Sequence, residues 1–219
     1  MDGWGAPSTT IYIFILIVVL AGAATVQFFK GRRKNLTMLE KSIRILEEVF
    51  KPRDKNYTII GLYVGYSAIY KLKDPAIKAV ETVVLLFPRQ SLLYAPIAKL
   101  TSRYDKAYII VHYAWKRFPG EAHLVAKGYY RLGTRRAIKG IEKMKIEKIM
   151  IGNKQYYLVY TDRRLAEKLL NYAKNLENPH LVQHMAIVPK SKRLYMAIRL
   201  DIDRFKEMVQ KYYELAKSL

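Results

Sequence analysis

The 219-residue chain predicts an α+β fold: one N-terminal transmembrane helix, then a cytoplasmic domain of mainly antiparallel sheet with helices on one face. Three observations carry that prediction. Gly3 to Phe29 contains no charged residue, and Lys30-Gly31-Arg32-Arg33-Lys34 closes the stretch abruptly. Beyond it, runs rich in Tyr and β-branched residues carry the composition and the alternation of strands. Two of those runs lead through an Asp into an apolar stripe of helical period, at Tyr160-Thr161-Asp162 and Leu200-Asp201-Ile202-Asp203.

The apolar segment comes first. Ile11 to Phe29 makes a helix of roughly 28 Å at ~1.5 Å per residue, against a lipid core about 30 Å thick. Asp2 is the one charge before it, while Lys30, Arg32, Arg33 and Lys34 flank it on the far side. That asymmetry predicts a single pass of the cell membrane with the amino end outside. Ala21-Gly22-Ala23 has the look of a cleavage site, but a secretory signal carries its cations before the apolar core, not after it. The expected division is a short extracytoplasmic N-terminus (1–10), the span (11–29), a basic juxtamembrane segment with an amphipathic helix (30–52), and a basic α+β domain (53–219). On the cytoplasmic face the sequons at Asn35 and Asn56 stay unmodified.

In the juxtamembrane segment Leu36, Leu39, Ile43, Leu46 and Phe50 recur at helical steps before Pro52. Two placements are open for this helix, as a continuation of the span or lying on the bilayer surface. Tyr57 to Tyr70 reads as strand, with Gly61 and Gly65 marking a bend or a close backbone approach. Asp74-Pro75 predicts the start of a helix with the stripe Ile77, Val80, Val84, Phe87, ended by Pro88. Ala107–Trp115 and His123–Leu132 read as strands, and Thr134 caps a predicted short helix from Arg135 to Met144. Lys145–Ile151 and Gln155–Tyr160 flank the hairpin signal Gly152-Asn153, and Asp162 caps the helix after them. A strand through Ile187-Val188, an alternating strand Leu194-Met196-Ile198-Leu200 and a closing helix repeat that plan.

The charge is lopsided. All 39 basic residues and 17 of the 18 acidic ones come after the span, a formal charge of +22. An excess of this size opposes compaction unless a polyanion is close, and the candidates are nucleic acid, ribosomal RNA included, or anionic lipid headgroups. Adaptation to heat raises Glu together with Lys, so it does not account for the imbalance. With no Cys, disulfides and thiolate chemistry are excluded.

The sequence offers no catalytic centre, metal site or cofactor site. His180 and His184 stand four apart without an accompanying carboxylate, in a stretch that reads as strand. Gly61 and Gly65 are not followed by a phosphate-loop Gly-Lys-Ser/Thr, and no Ser sits in a nucleophile elbow. The basic residues, by contrast, cluster. Arg135, Lys139 and Lys143 stack at four-residue spacing on the predicted short helix, with Arg131, Arg136, Lys145 and Lys148 around it. Arg163 and Arg164 occupy the first turn of a helix, where the macrodipole disfavours them, and Lys190, Lys192 and Arg193 occupy a turn. Without an RNP motif or Gly-x-x-Gly loop, these clusters would touch phosphate and shape rather than bases. The competing reading of each cluster is a solvated face.

The layout resembles the calumin family, the coiled-coil subunit of the PAT intramembrane chaperone beside the Sec translocon. The resemblance lies in Leu85-Leu86-Phe87-Pro88-Arg89, in Tyr156-Tyr157-Leu158-Val159-Tyr160-Thr161-Asp162-Arg163-Arg164-Leu165, and in Lys192-Arg193-Leu194-Tyr195-Met196-Ala197-Ile198. The family's acidic lumenal region is reduced here and its basic coiled-coil tail has no counterpart, as in a minimal archaeal version. The resemblance implies a non-catalytic scaffold or chaperone for membrane-protein insertion, with the ribosome, the Sec translocon and a small membrane protein as partners. Its rivals are a module binding anionic lipid headgroups near the span and a membrane-tethered enzyme.

Overall fold

The computed structural model describes residues 9–219 apart from 92, 93, 95, 96, 99, 101–103, 116 and 131–137. Helix α1 runs unbroken from Thr9 to Phe50. The amphipathic segment therefore continues the apolar one. By length and composition α1 can cross a membrane, and its large side chains from Ile11 to Leu20 are exposed. Further along, Gly31, Asn35, Leu39, Ser42, Leu46 and Phe50 are buried at steps of three and four, the period of one helical face.

The described residues contain nine strands: β1 (Asp54–Ile60), β2 (Gly65–Lys71), β3 (Ile77–Leu85), β4 (Lys106–Tyr113), β5 (Ala122–Ala126), β6 (Lys145–Ile151), β7 (Lys154–Tyr160), β8 (Val182–Val188) and β9 (Arg193–Arg199). They form one sheet in the order β1-β2-β3-β4-β9-β8-β5-β7-β6, with every pairing antiparallel. Two further long helices lie among the described residues, α2 (Arg163–Lys174) and α3 (Ile202–Ser218), besides a short helical turn at Lys127–Tyr129. The predicted Asp caps are present. Asp162 accepts from the Leu165 amide at 3.0 Å and Asp201 from the Asp203 amide at 3.1 Å. The units β6-β7-α2 and β8-β9-α3 thus share the plan read from the sequence.

The later turns of α1, together with α2 and α3, cover one face of the sheet around a core that includes Leu46, Tyr70, Ile109, Leu124, Tyr156, Leu169, Met196, Phe205 and Tyr212. Tyr113, Tyr156, Tyr172 and Tyr212 are tolerable in this interior because their hydroxyls are spent on backbone carbonyls. Tyr212 donates to Leu194 O at 2.7 Å, Tyr113 to Ala216 O at 2.7 Å and Tyr172 to Met208 O at 2.9 Å. On the other face a smaller cluster, Val125, Tyr130, Ile138 and Val159, is covered by Ile141 and Met144.

Four sequence expectations are corrected. Tyr57–Tyr70 is a hairpin, because Gly61 takes a left-handed φ of 63° and opens a turn between β1 and β2. The helix expected over Ile77–Phe87 is strand β3. Val80, Thr82 and Val84 are buried alternately, and the β-branched content of that stretch favours the pleat. Asp74 still acts locally, accepting from the Ala76 amide at 2.8 Å, but its turn leads into a strand. The helix expected from Arg135 to Met144 is absent from its described part. Gly140 turns left-handed at φ 72° and leads into a single 3₁₀ turn, Ile141–Lys143. The strand expected over His123–Leu132 ends at Ala126, where Lys127–Tyr129 turns helical; Thr134 and Arg135 lie outside the described residues.

The domain grips α1 where the apolar run ends. The amide of buried Asn35 donates to Tyr63 O (2.9 Å) and Phe87 O (3.0 Å), and its Oδ1 accepts from Arg89 (3.0 Å). Arg89 in turn forks onto Asp105. Gln27 donates to Arg89 O at 2.7 Å, and a Cβ on Gly31 would fall 2.3 Å from the Arg89 carbonyl carbon. Only glycine allows this approach. Tyr63 holds a left-handed φ of 61°, sparse for a non-glycine residue, with the Arg32 guanidinium 4.6 Å from its ring centre. Asn35, read from sequence as a sequon, is instead the hub of this junction.

Candidate nucleic-acid interface

Antiparallel register decides where the basic clusters fall. Lys145, the first residue of β6, faces Tyr160, the last of β7. Tyr160 also faces Ala122, Ala122 faces Ile187, and Ile187 faces Leu194. One end of the sheet therefore collects Lys143 and Lys145 before and in β6, Arg163 and Arg164 after β7, and Lys190, Lys192 and Arg193 around the β8–β9 turn. Across the four strand intervals from β9 to β6 this rim spans about 19 Å. Lys148 lies on β6 further in, opposite Tyr157, and Lys139 in the turn before the 3₁₀ segment. Arg131, Arg135 and Arg136 lie outside the described residues.

The rim lies level with the carboxyl end of α1. Phe50 packs edge-on against Tyr213 at 5.4 Å, and Tyr113, bonded through its hydroxyl to Ala216 O, takes the Lys192 carbonyl on its amide at 3.0 Å. From the α2 side, Lys168 donates to Ser218 O at 2.8 Å. Lys30 to Phe50 is roughly 30 Å of helix at ~1.5 Å per residue, so the rim is the part of the domain far from the apolar half of α1.

The rim cations differ in what they touch. Arg163 is engaged, with Nη1 on Glu147 at 3.0 Å and Nε on Glu167 at 2.9 Å, while Tyr160 donates to the same Glu147 carboxylate. Two carboxylates offset its unfavourable place at a helix start. Lys192 takes a left-handed φ of 50° and points its ammonium at Ala114 O, 3.4 Å away. Lys139, Lys143, Lys145, Lys148, Arg164, Lys190 and Arg193 are exposed and have no ion-pair partner among the described residues. Lys145 and Lys148 also lie on the edge strand β6, where a lysine discourages pairing with another chain. Of the cations flanking the apolar run, Arg32 stacks on Tyr63, whereas Lys30, Arg33 and Lys34 line a groove with Thr37, Met38, Lys41 and Ile202.

Sequence reasoning missed a polar chain on the sheet face opposite α2 and α3. Glu121 contacts His123 Nε2 at 2.9 Å, and His123 Nδ1 lies 3.2 Å from His184 Nε2. Burial, reinforced by His123, pushes the His184 pKa down to about 3; burial also lowers that of His123, against the pull of Glu121. Tyr195 packs edge-on to His184, and Arg199 lies 4.2 Å over the Tyr104 ring. Lys154 is lowered to about 8 by burial and then by the charge of Arg199. His184 thus partners His123, from another strand, rather than His180 four residues away. No group of three or more His, Cys, Asp or Glu among the described residues is arranged to hold a metal. No protein-family model matches the chain, and none of the curated proteins matches it.

Proposed function

We propose that this is a single-pass membrane protein whose basic domain, on the cytoplasmic side, binds the ribosome through its RNA near the Sec translocon. In this role it assists membrane-protein insertion as a scaffold or chaperone, without catalysis. One observation carries the reading: among the described residues, cations from three separate clusters of the sequence converge, largely unpaired, on the sheet end remote from the apolar half of α1. A headgroup layer is only about 5–8 Å deep on each side of the lipid core. If α1 spans the bilayer, a rim roughly 30 Å beyond Lys30 clears that layer even at the 40° upper range of helix tilt. Cations held there are available to a polyanion in the cytoplasm. Ribosomal RNA offers dense phosphate, and tethering raises the local concentration so that weak phosphate contacts suffice. The amino-out orientation rests on the cations placed just after Phe29. The choice of translocon and insertion, and of a small membrane partner, rests on the resemblance to the calumin family.

Full-length protein in nanodiscs of zwitterionic lipid should co-sediment with ribosomes. Changing Lys145, Arg164, Lys190 and Arg193 to Glu should weaken that binding and leave the melting transition in place. Undiminished binding in the folded variant would reject the reading.

A further inference from the structure

We infer that the groove beside the end of the apolar run is a binding site for the phosphate headgroup of an anionic lipid. Lys30, Arg33, Lys34 and Lys41 line it together with Thr37, and Met38 and Ile202 supply an apolar floor to this shallow, open groove of about 360 Å³. All four cations are exposed, and none has an ion-pair partner among the described residues. Their spacing puts them on one stripe of α1, beside the stripe Gln27-Gly31-Asn35 that docks on the domain.

That stripe continues the exposed surface of the apolar run without a break, through Val19 and Val26. A ligand with two chemistries suits such a groove: acyl chains along the exposed helix and a phosphate among the cations. Lys30 to Lys34 covers about 6 Å of helix, the depth of a headgroup layer, and Lys41 can close the site from above. Thr37 spends its hydroxyl on Arg33 O at 3.0 Å, so selectivity comes from charge. Ile202 belongs to α3, so the site exists only when α1 and α3 are packed together. A bound lipid would then fix the domain against the membrane. The rim lies on another part of the domain, so the two sites fail separately.

The test uses full-length protein reconstituted in nanodiscs of mixed phosphatidylcholine and phosphatidylglycerol, released into mild detergent and weighed by native mass spectrometry. Phosphatidylglycerol should be retained in preference to phosphatidylcholine. Changing Lys30, Arg33, Lys34 and Lys41 to Gln should cut that retention by roughly 600-fold, at about fivefold per cation near an anionic surface. Ribosome binding in zwitterionic nanodiscs should persist in the same variant. Equal retention of the two lipids, or undiminished retention in the variant, overturns the site. Retention of inorganic phosphate in place of the lipid would make it a site for a free phosphate. Loss of ribosome binding in the variant would make the groove part of the RNA surface.

Discussion

Asp105→Ala removes the partner of a guanidinium that is itself mostly shielded. Arg89 forks onto Asp105 with Nη1–Oδ1 at 2.9 Å and Nη2–Oδ2 at 2.5 Å, and Oδ1 also accepts from the Phe87 amide at 2.7 Å. Side-chain exposure is 23% for Arg89 and 8% for Asp105, so the carboxylate is buried and the guanidinium partly so. Deleting one member of such a pair costs about 3–5 kcal/mol, because the other charge is left without compensation. For a domain of this size each kcal/mol shifts the melting midpoint by about 2–4 °C, so a drop of roughly 6–20 °C is expected. The measurement is thermal unfolding of full-length protein in detergent, followed by circular dichroism. Asp105→Asn keeps an acceptor and should fall between wild type and Asp105→Ala. The double change Arg89→Ala with Asp105→Ala should cost less than the sum of the singles, since neither charge is then stranded. A single variant melting within about 2 °C of wild type, or strict additivity, would refute the assignment of this pair as the clasp on α1.

The same geometry yields four further outcomes. Gly31→Leu should loosen the domain from α1, at about 1–3 kcal/mol or more, whereas Gly22→Ala, which meets nothing within 4 Å, should leave the melting midpoint unchanged. A fragment beginning at Gln27 should melt higher than one beginning at Asn35, because the shorter one lacks the Gln27–Arg89 bond and the Gly31 contact; equal midpoints would speak against docking along this stretch. His184 is held neutral by burial, so its stability contribution is intact above the unfolded pKa of about 6.5 and is lost as pH falls below it, at up to about 1.4 kcal/mol per pH unit; His184→Asn should flatten the stability–pH curve between about pH 6.5 and 4. Protease added to intact cells should spare residues 30–219, and digestion there would reverse the proposed orientation.

Most of the architecture was legible, and the failures have specific causes. Strong local signals held where they agreed with the core: Gly152-Asn153 closes β6 onto β7, and Asp162 and Asp201 cap α2 and α3. Ile77 to Phe87 misled because Ile77, Val80, Val84 and Phe87 fit a helical stripe as well as Val80, Thr82 and Val84 fit a strand. The neighbouring strands β2 and β4 then decide the matter, and no local window contains them. In the described part of Arg135 to Met144 the four-residue spacing of cations does not mark a helix face, because Gly140 at φ 72° breaks the helical period before Lys143. The rim was legible as three separate clusters. Its convergence was not, because it depends on β5 inserting between β7 and β8, a long-range order that no local pattern encodes. Asn35 offered only a sequon, and His123 and His184 are 61 residues apart, so the α1 clasp and the imidazole pair had no signal in the chain.

The most direct test of the proposed function is the salt dependence of ribosome affinity for full-length protein in zwitterionic nanodiscs, taken for wild type and for the variant with Lys145, Arg164, Lys190 and Arg193 changed to Glu. Removing one phosphate-binding cation should flatten the log–log slope by about 0.7–0.9, so the variant should bind more weakly with a slope shallower by roughly 3 units. An unchanged slope and affinity in the folded variant would contradict an RNA-binding rim and return its cations to solvent.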